Sequence, residues 1–261
     1  MKKAIYQLTA TLCFFTRLPF WRLVQVPKEY YKRVVPYWPF AGWVTGSLMA
    51  LTCIATSCFP IHISVILALT VRCLATGALH EDGYADFCDG FGGGYDRQKI
   101  LSIMKDSHIG TYGVLSLIVY YIILWSTLTA LMPKIGTPLL FVAVDSLCKY
   151  LSSTIIYFLP YARTEAAAKN QLVYAQVSLW EKIYSLMFAL IPLAILPFTQ
   201  TVYTPITLFI NIGYTCVAAI IVAIVLFILM HKRIQGYTGD CCGATFIILE
   251  TVFYLVLLAV N

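Results

Sequence analysis

Charge is what this sequence has least of. Only 11% of its 261 residues are Asp, Glu, Lys or Arg, against about 25% in a soluble domain. With 60% hydrophobic residues and a mean hydropathy of +0.81, the composition excludes a water-soluble globule and indicates a polytopic membrane protein. The nine cysteines contain no C-x-x-C pair and the four histidines no paired spacing, so neither a disulfide framework nor a zinc site is read from them. Most of these cysteines lie in apolar runs and count as small apolar residues, and the adjacent Cys241 and Cys242 have poor geometry for a chelate. No basic stripe accompanies the net charge of +6, which excludes a nucleic-acid surface. No small-x-small cleavage site follows the first apolar run, so its removal is not expected. No repeat or linker is visible, and residues 1–261 read as one domain.

What the sequence does have is apolar length. Runs able to cross a hydrocarbon core, which takes roughly 20 helical residues, fall at 39–59, 61–79, 111–132, 137–159, 183–200, 205–230 and 242–260. The run from Ala4 to Phe15 is too short to span comfortably and ends in Thr16-Arg17-Leu18-Pro19, which reads as an interfacial or re-entrant helix. The expected fold is therefore all-α: a polytopic integral membrane protein of about seven transmembrane helices plus an N-terminal interfacial helix. With the N-terminus on the cytoplasmic side, segments 1–38, 80–110, 160–182 and 231–241 share that side and hold fifteen of the eighteen Lys and Arg. Lys134 alone falls on the other side, which fits the positive-inside rule. Asp145, Lys149 and Glu250 lie inside spans, where ionisable groups face protein or a wet cavity. Asp145 and Lys149, four residues apart, read as an internal pair that neutralises both, and Arg72 also falls within a span.

Half of the twelve acidic residues are concentrated between positions 80 and 113. Asp82, Asp86 and Asp89 stand at i, i+4 and i+7, one face of a helix. Carboxylates about 6 Å apart at an effective dielectric near 20 repel by roughly 3 kcal/mol, a cost that a divalent cation reverses. No Lys or Arg occurs between 80 and 90, whereas a solvated helix end mixes signs, and oxygen-only ligands point to magnesium, manganese or calcium. His80 and His108 flank the cluster and read equally as general bases or interfacial histidines. After Asp89, Gly90-Phe91-Gly92-Gly93-Gly94 is expected to break the helix and expose backbone N–H groups. Asp96 then starts an amphipathic helix ending near Asp106. Such a turn is either a phosphate cradle or a flexible joint. Two further polar segments sit beside spans. Gly236 to Ala244, carrying Asp240, reads as a tight turn with or without a ligand. Leu159 to Arg163 ends in an arginine that is either a snorkelling anchor or a phosphate clamp.

The run HEDGYADFCDGFGGG from His80, continuing to MKDSHIGTYG from Met104, resembles the motif of the cobalamin synthase (adenosylcobinamide-GDP ribazoletransferase) family. Phe15-Thr16-Arg17-Leu18-Pro19, Pro160-Tyr161-Ala162-Arg163 and Gly239-Asp240-Cys241-Cys242-Gly243-Ala244 resemble the same family, in order along the whole chain. The resemblance implies a magnesium-dependent enzyme of the bacterial inner membrane with its active site facing the cytoplasm. It implies joining of adenosylcobinamide-GDP to α-ribazole or its 5′-phosphate, with release of GMP. On that expectation Asp82, Asp86, Asp89 and Asp106 hold Mg2+, and His80, Asp106 and Asp240 are catalytic. Arg17, Gly92, Gly93, Gly94, Lys105 and Arg163 bind substrate. The partners are the two substrates, the lipid bilayer and a second copy of the chain as candidate, with no nucleic acid. A weaker similarity links Asp86-x-x-Asp89-Gly90 to the CDP-alcohol phosphatidyltransferases, although Gly110 stands where their fourth aspartate belongs. An ion-coupled transporter using Asp145, Lys149 and Glu250 is the other class left open.

Overall fold

The computed structural model describes residues 2–163, 174–200 and 202–261. Helix α1 (Lys2–Phe15) is followed by three short turns of 3₁₀ helix between Phe20 and Tyr37. Then come α2 (Trp38–Ala55), α3 (Ile61–Thr76), α4 (Leu79–Gly93), α5 (Arg97–Ile103) and α6 (Thr111–Ile135). The chain ends with α7 (Leu139–Ser153), α8 (Ile155–Phe158), α9 (Leu179–Thr199), α10 (Pro205–Ile234) and α11 (Gly239–Val260). Among the described residues six helices are long and apolar enough to cross a membrane, and seven if the bent pair α3–α4 counts as one span. The seven apolar runs correspond to α2, α3, α6, α7, α9, α10 and α11. Side chains such as Ile118, Ile122, Ile210, Val217, Ile221 and Val225 stay exposed on α6 and α10, as expected where hydrocarbon is the solvent.

Without a hydrophobic drive between helices in lipid, close packing rests on small residues. Gly42 and Gly46 of α2 face α7 so closely that a Cβ would stand 2.7 Å from Ser146 Cα and 2.6 Å from Val142 Cα, respectively. Between these two contacts Thr45 donates to Asp145 Oδ2 at 2.8 Å, and Lys149 Nζ donates to Thr45 Oγ1 at 3.2 Å. Lys149 also pairs directly with Asp145, as the four-residue spacing predicts.

The acidic segment forms a helix of its own, and the expected break at its glycines is corrected. Helix α3 does not run continuously into the acidic segment: Gly77 (φ 64°) and Ala78 (φ 57°) are both left-handed, and α4 departs from α3 at 87°. Nor does the glycine run break the helix, because α4 continues to Gly93. These glycines serve packing. A side chain at Gly90 would displace Met104, and one at Gly94 would come within 2.8 Å of Ile100 Cα, so α5 lies directly on the α4 backbone. Asp96 does start α5, accepting the Lys99 amide at 2.8 Å, but the helix ends at Ile103, short of Asp106.

The bundle has two distinct ends. At one, Gln200 accepts the Tyr203 amide at 2.6 Å and the Tyr203 hydroxyl donates to Asn261 O at 3.1 Å. At the other, arginines sew loops onto carbonyls. Arg97 Nε donates to Ile234 O at 2.8 Å and its Nη2 to Ala162 O at 2.9 Å, while Arg233 Nη2 donates to Gly94 O at 2.8 Å. All the motif segments gather at this second end.

Candidate active site

A cavity of about 210 Å3 opens at the arginine-sewn end between α4, the N-terminus of α11 and the segment leading from α8. His80, Asp82, Arg163 and Asp240 all line it. Three segments separated by some 80 residues each are thus brought to one place. The approach of α4 to α11 depends on two glycines: a Cβ on Gly83 would meet Asp240 Cα at 3.1 Å, and one on Gly243 would meet His80 O at 3.1 Å.

Each side chain has a definite setting. His80 is 5% exposed, its ring between those of Phe15 (5.7 Å) and Phe246 (4.3 Å), and its buried Nε2 has no hydrogen-bond partner. Asp82, two residues on, is exposed toward the cavity. Asp240 lies in the first turn of α11, whose N-cap Thr238 receives the Cys241 amide and donates to Asp240 Oδ2 at 3.3 Å. The N-terminus of a 22-residue helix therefore meets the cavity, and with it the positive end of the helix dipole. Arg163 Nη2 donates to Leu101 O at 3.0 Å, which fixes the guanidinium beside α5. Tyr161 and Tyr174 complete the wall. Burial pushes both phenols above their ordinary value, which keeps them neutral and able to donate.

Other expected site residues stand elsewhere. Asp89 is buried, with both carboxylate oxygens committed to the amides of Gly110 and Gly113 at 2.7 and 2.8 Å. Asp106 is exposed and bonds His108, receiving its backbone amide at 3.0 Å with the ring Nδ1 at 2.7 Å. That contact holds the Asp106 carboxyl below its ordinary value. Asp86 is half-buried one turn beyond Asp82, and Lys105 is exposed after α5. Arg17 packs over Gly77 at the α3–α4 bend, its amide donating to Ala75 O at 2.6 Å, and does not line the cavity. Gly92 and Gly93 end α4 and Gly94 is its C-cap, where a helix presents carbonyls. Among the described residues no three His, Cys, Asp or Glu side chains converge on one point as a metal cage, so the four aspartates are not gathered as a set.

Sequence reasoning did not find the aromatic clamp on His80, nor the role of α11 as the helix aimed at the cavity. The second was legible in principle: Thr238 ahead of an acid and an apolar run is an N-cap pattern.

A multi-pass helical membrane protein, with an acidic, arginine-bearing cavity at one end of its bundle, is the class these features define. Within that class the chain belongs to the cobalamin-5-phosphate synthase family, whose model matches residues 7–258. A relative from Shewanella piezotolerans named adenosylcobinamide-GDP ribazoletransferase is 33% identical over 251 residues, 95% of this chain and 93% of its own. Relatives of the same name from Leptospira biflexa and Vibrio parahaemolyticus are 33% and 34% identical, covering 94% of this chain in each case and 92% and 89% of their own. No solved structure matches the chain. Neither the phosphatidyltransferase nor the transporter reading is favoured by these relationships.

Proposed function

We propose that the chain is an adenosylcobinamide-GDP ribazoletransferase: an oxygen of α-ribazole, or of its 5′-phosphate, attacks the phosphorus borne by the corrinoid arm, and the bond to GMP breaks. The observation that carries this reading is the meeting of His80, Asp82, Arg163 and Asp240 in one cavity at the N-terminus of α11. Displacement at a diphosphate asks a protein mainly for positioning and for charge opposite the transferred group. Arg163 and the α11 N-terminus supply positive charge and donors for phosphate oxygens. His80 Nε2, buried in the wall with no other partner, is placed to accept the proton of an attacking hydroxyl. Tyr161 and Tyr174 donate to substrate oxygens. At about 210 Å3 the cavity is smaller than the roughly 300–1,000 Å3 of ordinary ligand pockets. It takes the diphosphate and adjoining ribose, and the corrinoid ring lies outside.

Magnesium fits the donors present. Asp82 and Asp240 give a carboxylate-oxygen pair on the cavity, with Asp86 one turn away. Mg2+ is ordinarily held by one or two carboxylates plus substrate phosphates rather than by an all-protein cage. When bound it neutralises charge on the transferred phosphoryl and the departing nucleotide.

The same reading places the cavity on the cytoplasmic face of the bacterial inner membrane, supported by the basic residues concentrated at that end. The decisive experiment uses purified protein, adenosylcobinamide-GDP and α-ribazole with no ion gradient, and follows GMP release across a magnesium titration. Magnesium-dependent release is expected. No release from this substrate pair at any magnesium concentration would overturn the proposal.

A further inference from the structure

Beneath the cavity lies a buried charge cluster that the proposed chemistry does not use. Arg72, four residues before the end of α3 at Thr76, is 2% exposed. Its Nη1 donates to Glu250 Oε1 on α11, and its Nη2 to the Tyr120 hydroxyl on α6 at 2.6 Å. Tyr120 donates in turn to Glu250 Oε2 at 3.0 Å. The same Nη2 stands 3.8 Å from Glu81 Oε1 on α4, an oxygen that accepts from the Tyr121 hydroxyl at 3.2 Å. One guanidinium thus joins four helices, two of which carry cavity carboxylates.

We propose that Arg72 and Glu81 are positioning residues, which fix the rotation of α4 so that Asp82 faces the cavity. The proposal rests on the function given above for its turnover readout. Backbone continuity cannot set this rotation, because α4 follows α3 through two left-handed residues and an 87° bend. The α4–α11 contact at Gly83 brings the two backbones close, while His80 against Phe246 and Asp89 on the α6 amides hold the two ends of α4, and Glu81 is the buried polar anchor next to Asp82. Consecutive helical residues point about 100° apart. Anchoring Glu81 into the bundle, where it is 4% exposed, therefore turns Asp82 outward to the cavity. Arg72 suits this task because its planar fork of five donors holds several acceptors in a fixed geometry, whereas a lysine offers three donors on one rotatable ammonium. A guanidinium removed from water is costly unless paired, so the cluster holds Glu81 and Glu250 to it and couples α4 to α11.

The test uses the full chain purified in lipid nanodiscs, with Glu81→Gln and Tyr121→Phe made separately. Each keeps the side-chain shape, and Tyr121→Phe removes only one hydroxyl, so a folded variant is secured. Amide hydrogen exchange over residues 79–93 is expected to quicken about tenfold while α9 and α10 stay unchanged. In the same variants kcat for GMP release is expected to fall, by up to about 100-fold for a misplacement near 1 Å. KM for the corrinoid substrate stays within about twofold, because Arg163 and the α11 N-terminus are untouched. A merely structural role would lower the yield of folded protein without splitting kcat from KM. Unchanged exchange in α4, or faster exchange with wild-type kcat, overturns the proposal. Should the unaltered protein release no GMP, the proposed function fails by itself, and the exchange arm alone decides whether the clamp holds α4.

Discussion

Asp89 receives the amide hydrogens of both Gly110 and Gly113, one on each carboxylate oxygen, at 2.7 and 2.8 Å. It thereby caps the N-terminus of α6 from outside that helix, since no side chain of the helix's own N-cap does so. A charged acceptor at a helix N-terminus also gains from the dipole. Asp89→Asn leaves one oxygen and turns an NH2 against the second amide. The expected result is a loss of stability of about 1–3 kcal/mol, read as a lower Tm in detergent. A variant with unchanged Tm and lost magnesium response would instead return Asp89 to the metal.

Asp82→Asn and Asp145→Asn should separate chemistry from folding. Asp82 faces the cavity, so its amide variant is expected to keep its Tm while losing GMP release by about 100-fold or more, as transition-state contacts typically do. The sequence alone casts Asp145→Asn as a mild control, because Lys149 is its local partner. The structure revises this. Both residues are 1% exposed, and removing one partner of a buried pair leaves the other charge uncompensated, at a cost of about 3–5 kcal/mol. Asp145→Asn is therefore expected to lower Tm sharply, with a normal magnesium requirement in the protein that remains folded. Side-by-side unfolding curves and magnesium titrations of the two variants check both statements.

The membrane helices were legible because hydropathy and length act on each span separately, and α2, α3, α6, α7, α9, α10 and α11 follow the apolar runs closely. The cavity was legible in part: His80, Asp82, Arg163 and Asp240 carry the chemistry-bearing residue types beside spans. What the sequence could not show is decided between elements. Gly90 to Gly94 reads as a turn, yet whether such a run bends or packs depends on Met104 and Ile100 arriving from α5. The sharp bend at Gly77 and Ala78 had only one glycine to announce it. Arg72 and Glu250, opposite charges in different spans, are an ion pair whose existence follows from burial cost but whose position under α4 needs the fold.

Gly83→Ala tests the α4–α11 contact. Its Cβ would stand 3.1 Å from Asp240 Cα and 3.2 Å from Asp240 O, and backbone atoms cannot rotate away as a side chain can. Overpacking of this kind costs about 1–3 kcal/mol. The expected outcome is protein inserted normally in the membrane, with a modestly lower Tm and reduced turnover, because Asp240 is displaced relative to Asp82. Wild-type kcat in this variant would show that the spacing of the two carboxylates is not critical.

Thiol labelling in intact cells settles which end of the bundle meets the cytoplasm. Basic residues concentrate at the cavity end, among them Arg97, Arg163 and Arg233, while Lys134 lies at the other. With positive charge kept on the cytoplasmic side, the proposed orientation has the cavity facing the cytoplasm. Gly94 is buried against Ile100, so a cysteine there would disturb α5, whereas the adjacent Tyr95 is 82% exposed and tolerates replacement. Cys58, between α2 and α3, is the one exposed cysteine among the described residues, and it sits at the opposite end from Tyr95. A membrane-impermeant maleimide added to whole cells is therefore expected to label the unaltered protein at Cys58. The double variant Cys58→Ser, Tyr95→Cys should react only after the membrane is permeabilised. The opposite pattern, with position 95 labelled from outside and Cys58 protected, would place the cavity on the outer face and overturn the cytoplasmic assignment, since substrates made in the cytosol could then not reach Asp82 and Asp240.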